Sequence, residues 1–247
     1  MQRLNFAVSG VLTLVIAFAL APSSVLGQAH PDLSGLWDGE RNSSDLVQLM
    51  KASGGAVPFT AASAERYKKV DFAKNPNSMC LPPGPSRSIT GPSPFQIVQT
   101  PELISILFEN HGVYRVIYMD GRGHPADAME YPTFMGSSIG KWDGDTLVVD
   151  TIGINDRTWL DSNGLEHSVK LHLTERFRRI ETNKIQYAAT FDDPEFFVRP
   201  WTVTVNLVRQ PKGDRLLEYV CNENEKDRVI LQPTFENANK DIQPAKP

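Results

Sequence analysis

Two short polar stretches of the chain carry residue types that could do chemistry. The first follows the apolar run GVYRVIYM and places Asp120, Arg122, His124 and Asp127 within eight residues. An Asp–His pair can act as a general base, and a neighbouring guanidinium can stabilise a developing oxyanion. His124 is therefore a candidate acid–base residue, and Asp120 and Arg122 are candidate ligand-binding residues.

The second polar stretch begins after the run DTLVVDTIGI. It contains a second acid–base candidate, Asp156. Four further residues of this stretch are candidate ligand-binding residues: Asn155, Trp159, Asp161 and His167. Asn and Asp also form turns through side-chain hydrogen bonds, so a purely local role stays open for them. Trp159 has no such turn chemistry. If both stretches lie at one end of the fold, they assemble a pocket with an aromatic wall.

The run after the second stretch, SVKLHLTERFRRI, alternates apolar and polar residues. A period of two places Leu173, Glu175 and Phe177 on one face of a strand and His172 and Arg176 on the other. Glu175 interrupts the apolar face, which indicates either a desolvated carboxyl group at a functional site or a buried ion pair with an arginine. We include His172 among the catalytic candidates, and Glu175 and Arg176 among the ligand-binding candidates.

Short β-branched and aromatic runs dominate the chain from residue 95 onwards and must position these candidates. Together with the apolar cluster at 33–37 they predict eight or nine strands in sequence order, the last over 215–223. An antiparallel up-and-down meander that closes into a barrel leaves the fewest unpaired strand edges, so the expected fold class is all-β. Before the meander, Thr60 caps one short helix, and the five prolines of 80–94 indicate an extended strap without regular structure.

The N-terminus has the pattern of a secretory signal peptide over residues 1–27. Arg3 precedes an apolar stretch of roughly 16 residues, shorter than the ~20 that span a bilayer, although a membrane anchor stays the alternative. The mature chain would begin at Gln28 and work in the periplasm or the medium. We divide it into an N-terminal part of the barrel domain (28–94), the barrel proper (95–224) and a polar tail (225–247).

Cys80 and Cys221 are the only cysteines of the chain. In an oxidising compartment, an isolated pair far apart in sequence is expected to form a disulfide. Two buried reduced thiols are the alternative.

Composition and motifs exclude several kinds of site. A formal net charge of −4 offers no basic face for nucleic acid. The chain has no phosphate-binding glycine loop and no Gly-x-Ser-x-Gly elbow, and its five histidines show no His-x-His or His-x-x-x-His spacing. We therefore expect no cofactor, no metal and no nucleic-acid partner.

Several ordered segments carry a resemblance to known proteins: PDLSGLW, CLPPGPSR, DGRGHP, MGSSIGKWDGDTLVVDT, GINDRTWLD, HSVKLHLTERF, DDPEFFVRPW and EYVCNEN. Across residues 31–224 the chain resembles a family of functionally uncharacterised secreted bacterial proteins, which implies export but no particular activity. Gly35-Leu36-Trp37 at the first strand also resembles the lipocalins and other calycin barrels. That second resemblance implies an interior cavity for a small ligand.

These observations predict an exported, lipocalin-like β-barrel that binds a small, partly apolar organic molecule where its loops gather, without a cofactor. One alternative is a cofactor-independent acid–base enzyme, such as a lyase, isomerase or hydrolase, that uses His124, Asp156 and His172 in the same pocket. The other alternative is a structural or envelope-interaction protein, in which the polar residues only hold loops together.

Overall fold

The computed structural model describes residues 30–40 and 44–221, and strands dominate that part of the chain. The signal peptide predicted over 1–27 and the polar tail predicted over 225–247 lie outside the described residues. Most of the described strands alternate buried and less buried side chains, as half-buried strands do. The strands are β1 (Gly35–Gly39), β2 (Phe95–Gln99), β3 (Leu103–Phe108), β4 (Tyr114–Tyr118), β5 (Ser137–Asp143), β6 (Thr146–Ile152), β7 (His172–Glu181), β8 (Lys184–Asp192) and β9 (Trp201–Arg209).

Three short α-helices precede β2, where the sequence predicted one: α1 (Leu46–Ala52), α2 (Ala61–Lys68) and α3 (Pro85–Thr90). α2 is the predicted helix, and the Thr60 hydroxyl caps it by accepting a hydrogen bond from the Ser63 amide. Asp45 caps α1 in the same way. No helix within the described ranges is long and apolar enough to cross a membrane.

The strap prediction over 80–94 is wrong in part, because α3 forms inside it. Pro85 stands in the first turn of α3, where its missing N–H is not needed. All six residues of α3 are buried, so tertiary packing stabilises this helix in spite of its composition. The last predicted strand is also wrong over its described part, 215–221, which is irregular. Because β1 pairs with β9, the barrel closes without a tenth strand.

The nine strands pair in sequence order and close into a barrel, as predicted. One pairing differs from the predicted antiparallel meander. β4 and β5 run parallel, with Ile117 opposite Ser138 and Tyr118 opposite Ile139. Parallel neighbours need a connection that returns along the sheet, and residues 119–136 provide it. We call residues 119–136 the crossing segment.

The strand directions fix which connections share an end of the barrel. The turn end carries the connections 100–102, 144–145 and 182–183. The loop end carries the connections 109–113, 153–171 and 193–200, together with α3, whose Ser86 hydroxyl donates to Leu160 O. The crossing segment runs from the turn end to the loop end, where Thr133 pairs with Ile154.

Side chains occupy the space between the strands. The largest fully buried ones include Trp37, Phe95, Phe177, Tyr187 and Phe191. On β7, the buried residues alternate with partly or fully exposed ones, as the period-two pattern predicted. The lipocalin resemblance implied a ligand cavity between the strands, but these aromatic rings take up much of that interior.

Cys80 and Cys221 form the predicted disulfide, with 5.7 Å between their Cα atoms. The bridge joins the end of a 3-10 helix (Pro76–Met79) to the chain beyond β9, across a sequence separation of 141 residues. Closing a loop of this length stabilises the fold by about 4–5 kcal/mol on the chain-entropy account.

Candidate functional site

The first polar stretch begins at the turn end and runs along the barrel wall, whereas the second lies at the loop end. Asp120 and Arg122 follow β4 at the turn end, whereas 153–171 connects β6 to β7 at the loop end. The crossing segment reaches the second stretch at the loop end, where the Asn155 amide donates to Thr133 O at 2.9 Å. The candidate residues therefore form several separate groups.

Two catalytic candidates meet on a carboxylate that sequence reasoning missed. His124 Nε2 lies 2.8 Å from Asp150 Oδ1, and His172 Nε2 lies 2.9 Å from Asp150 Oδ2. Asp150 stands opposite Thr174 in the β6–β7 register, on the outer wall of the barrel. A polar residue at an outward position of a strand looks like an ordinary solvent-facing residue. The usable signal was the β6–β7 pairing itself, which makes Asp150 a diagonal neighbour of His172.

This His124–Asp150–His172 cluster is partly open to solvent. The His124 side chain is 16% exposed and that of His172 is 45% exposed. Burial raises the pKa of Asp150, but the hydrogen bonds and charges of the two imidazoles together lower it by more, so the net shift is downward. Asp150 is thus an anionic acceptor that orients both rings. The arrangement can hold and transfer protons, and it also fixes the crossing segment to the barrel wall.

Asp156, the third catalytic candidate, lies apart from this cluster. It is exposed in the turn that follows β6 at the loop end. Its neighbour Asn155 is buried and accepts the Arg157 amide at 3.1 Å, as turn-forming asparagines do.

Asp161 is fully buried in the same loop. Its carboxylate accepts the amides of Leu46 at 3.3 Å, Asn163 at 2.9 Å and Leu165 at 3.1 Å. Burial raises the pKa of Asp161 against the opposing effect of these bonds. The carboxylate therefore joins the loop to the start of α1.

His167 is also buried. Its Nε2 lies 2.7 Å from Thr158 Oγ1, and its Nδ1 lies 2.9 Å from Ser168 O. Burial lowers the pKa of His167, which favours the neutral ring. Both ring nitrogens are thus occupied inside the protein.

Trp159 lines a small surface pocket at the loop end. Its ring packs edge-on against Phe72 with 6.3 Å between centroids, and the Arg87 guanidinium lies 5.9 Å from its centroid. The pocket encloses about 380 Å³. Its other walls are mostly charged side chains of both signs: Glu65, Arg66, Lys69, Asp71, Lys74 and Glu166.

Asp120 and Arg122 bond to each other at the turn end. Arg122 Nε lies 2.9 Å from both carboxylate oxygens, and the guanidinium lies 4.0 Å above the Tyr118 ring. The hydrogen bond from Arg122 holds the pKa of Asp120 below its usual value. Both residues are exposed, so this pair remains reachable from solvent.

Glu175 lies inside the barrel within a polar network. Arg115 donates to both of its carboxylate oxygens, and the Tyr187 hydroxyl donates to Oε1 at 2.8 Å. Arg115 also donates to Ser138 Oγ at 2.9 Å and to Thr151 Oγ1 at 2.6 Å. Of the two readings of Glu175, the geometry is that of the buried ion pair.

Arg176 points outward from β7. Its guanidinium donates to Asp143 Oδ2 at 2.7 Å, and both side chains are exposed. Arg176 lies on the same outer face as His172, but within 30–40 and 44–221 no hydrogen bond joins it to His172 or Asp150.

A cleft of about 980 Å³ opens at the turn end of the barrel. Its lining combines apolar surface from Met119 and Trp142 with polar groups from Asp32, Gln99 and Lys141. Gly121 also lines it, between the candidates Asp120 and Arg122. Sequence reasoning did not single out the other lining residues, because they come from segments far apart in the chain.

Trp142 contributes an indole ring to the lining of this cleft. The His30 ring stacks on it with 4.6 Å between centroids and 5° between planes, and His30 Nδ1 lies 3.3 Å from Gly144 O. Nearby, hydrogen bonds from Ser34 hold the pKa of Asp32 below its usual value, against the effect of burial. The lining of the cleft therefore combines the stacked rings of His30 and Trp142 with an anion and a cation.

Comparison with known proteins identifies no matching family model and no matching curated protein. Among solved structures, the chain is similar to a secretary abundant heat soluble (SAHS) protein from Ramazzottius varieornatus, with a TM-score of 0.37 and 8% identity over 72% of this chain and 95% of that chain. It is also similar to a mutant of the fluorescent protein UnaG, with a TM-score of 0.34 and 12% identity over 73% of this chain and 97% of that chain.

Proposed function

We propose that the protein is exported and binds a small, partly apolar organic molecule in the turn-end cleft. The observation that carries this proposal is the lining of the cleft, where the Trp142 ring lies beside Asp32, Gln99 and Lys141. Small-molecule sites are typically concave and combine apolar walls with a few polar groups that fix orientation. A volume of about 980 Å³ lies within the range of such sites.

Export is supported by two independent features. The Cys80–Cys221 disulfide would persist only in an oxidising compartment. The first 27 residues have the composition of a cleavable signal peptide. With the segments that resemble secreted bacterial proteins, these features favour a protein that acts in the periplasm or the medium.

The binding proposal is tested with the mature chain from Gln28 and the fluorescent dye 8-anilinonaphthalene-1-sulfonate. We expect Trp142→Ala to weaken dye binding about tenfold, because the variant removes the indole ring from the lining of the cleft. The matched control is Tyr114→Ala, which removes an exposed ring from the outer wall. Equal dye affinities in the wild type and Trp142→Ala would refute the cleft as the binding site. Native mass spectrometry of protein purified from its own host would then identify any bound molecule.

Acid–base catalysis is a second candidate function, and the His124–Asp150–His172 cluster favours it. Asp150 would orient the imidazoles, and the more exposed His172 would exchange protons with a substrate. Turnover, once found, should fall at least ~100-fold in His172→Gln with the fold intact. An unchanged rate in that variant would assign the cluster to holding the crossing segment alone.

A further inference from the structure

One wall of the turn-end cleft is a strand edge that pairs with no other strand in 30–40 or 44–221. β5 extends to Asp143, but its parallel neighbour β4 ends at Tyr118, opposite Ile139. Among the described residues, the last four of β5 therefore have β6 on one side and no strand on the other. Three of them, Gly140, Lys141 and Trp142, line the cleft.

The register of β5 and β6 determines which backbone groups face the cleft. The two-residue turn at 144–145 closes on the pair Asp143–Thr146, and hydrogen-bonded pairs alternate along an antiparallel ladder. The backbone groups of Lys141 and Asp143 therefore face β6, whereas those of Gly140 and Trp142 face away from it. The parallel pattern directs the Gly140 amide to Tyr118 O.

Three backbone groups then remain at the edge: Gly140 C=O, Trp142 N–H and Trp142 C=O. No backbone group elsewhere in 30–40 or 44–221 bonds to them. Unpaired strand edges of this kind can accept another extended chain.

Beyond Met119, whose amide still donates to Glu102 O at 2.8 Å, the cleft lies along the path that a longer β4 would follow beside Lys141 and Trp142. Instead the chain turns away at Gly121, whose φ of +79° suits glycine. The Met119 side chain passes over Gly140, where a Cβ atom would lie 2.5 Å from Met119 Sδ. The gap beyond Met119 therefore has the length of about two extended residues, or ~7 Å.

We propose that the ligand of the cleft is a short extended peptide that pairs with the β5 edge. This proposal rests on the proposed binding function. One ligand residue exchanges two hydrogen bonds with the edge, through Trp142 N–H and either Gly140 C=O or Trp142 C=O. Every second ligand side chain then lies on the face of the Trp142 indole, where an apolar one replaces the His30 ring. Main-chain pairing supplies affinity, and the indole selects apolar side chains.

The first test is amide hydrogen exchange by NMR on the ¹⁵N-labelled mature chain. In the free protein, the Trp142 amide should exchange at least ~10-fold faster than the Lys141 and Asp143 amides, because only those two bond to β6. A Trp142 amide as slow as its neighbours would overturn the proposal, because the edge would already be paired.

The second test adds blocked tripeptides, Ac-Ala-Xaa-Ala-NH₂, in which the central residue is valine, leucine, phenylalanine or tryptophan. Saturation with the best binder should slow Trp142 exchange about tenfold and leave Lys141 and Asp143 unchanged. Matched analogues with a single N-methylated amide keep the side chains but remove one donor. At least one of them should bind about tenfold more weakly.

The outcomes separate this inference from the binding proposal. Suppose that Trp142→Ala weakens dye binding about tenfold, as expected, but the tripeptides fail to bind or all N-methyl analogues bind equally well. The cleft is then a site for a different small molecule, and the peptide inference is wrong. If the dye and the peptides both bind the wild type and Trp142→Ala equally, both proposals are wrong.

Discussion

Removing one end of the buried Arg115–Glu175 pair should destabilise the barrel far more than removing both ends. The two side chains are 1% and 0% exposed. In Arg115→Met, the Glu175 carboxylate loses its bonds to the guanidinium and keeps only the Tyr187 hydroxyl. An unpaired charge at such a site lowers the free energy of unfolding by about 3–5 kcal/mol.

The matched variant is the double substitution Arg115→Met with Glu175→Gln. The amide oxygen of glutamine still accepts the Tyr187 hydroxyl, and no charge remains in the interior. We expect the double variant to lose only about 1–2 kcal/mol, the range for disturbed neutral hydrogen bonds. Urea unfolding at neutral pH, followed by tryptophan fluorescence and circular dichroism with the disulfide intact, measures each value.

Two results would refute this reasoning. The single variant Glu175→Gln completes the cycle. If the double variant loses as much free energy as Arg115→Met and Glu175→Gln added together, the residues act independently and the charge pairing is irrelevant. If the free energy of unfolding of Arg115→Met stays within about 1 kcal/mol of the wild type, water must reach Glu175. The barrel interior around Glu175 would then not be closed to solvent in the way that these contacts indicate.

Three further predictions concern the connections around the barrel. Reduction of Cys80–Cys221 should lower the free energy of unfolding by about 4–5 kcal/mol, and an unchanged urea midpoint in dithiothreitol would contradict this. The pKa of Asp150 in the folded protein lies below its usual value, so its stabilising contribution is present above that usual value and is lost as the pH falls through the lower folded value. As the pH falls through this range, the free energy of unfolding of Asp150→Asn should therefore decrease less than that of the wild type. Urea unfolding at a series of pH values measures both. Gly153→Ala should destabilise at least ~1 kcal/mol more than Gly144→Ala in thermal unfolding. Both glycines have positive φ, but only at Gly153 would a Cβ meet a backbone oxygen of the crossing segment, at 2.2 Å. Equal losses would contradict that contact.

Local periodicity predicted the features that local geometry determines. Period two placed Glu175 inward and His172 outward, because successive side chains of any strand point to opposite faces. The Cys80–Cys221 bridge followed from the inferred compartment and from the absence of other partners. The buried arginine partner of Glu175 was predicted as a residue type, but its position, Arg115, depends on strands 60 residues apart.

Features that depend on distant packing could not be predicted in this way. α3 forms because six residues are buried against other elements, which outweighs a proline-rich local sequence. Asp150 is unremarkable as a strand residue until the crossing segment brings His124 beside it. The turn-end cleft draws Asp32, Gln99 and Trp142 from three separate segments.

The parallel pairing of β4 and β5 accounts for both candidate sites. Because the chain must return along the barrel, the crossing segment brings His124 to the outer wall beside Asp150. Because β4 ends at Tyr118 while β5 continues to Asp143, the same pairing leaves a strand edge beside the cleft. An antiparallel β4–β5 hairpin would join the strands through a short turn and remove both features. Shortening the crossing segment should therefore disturb the histidine cluster and the cleft together.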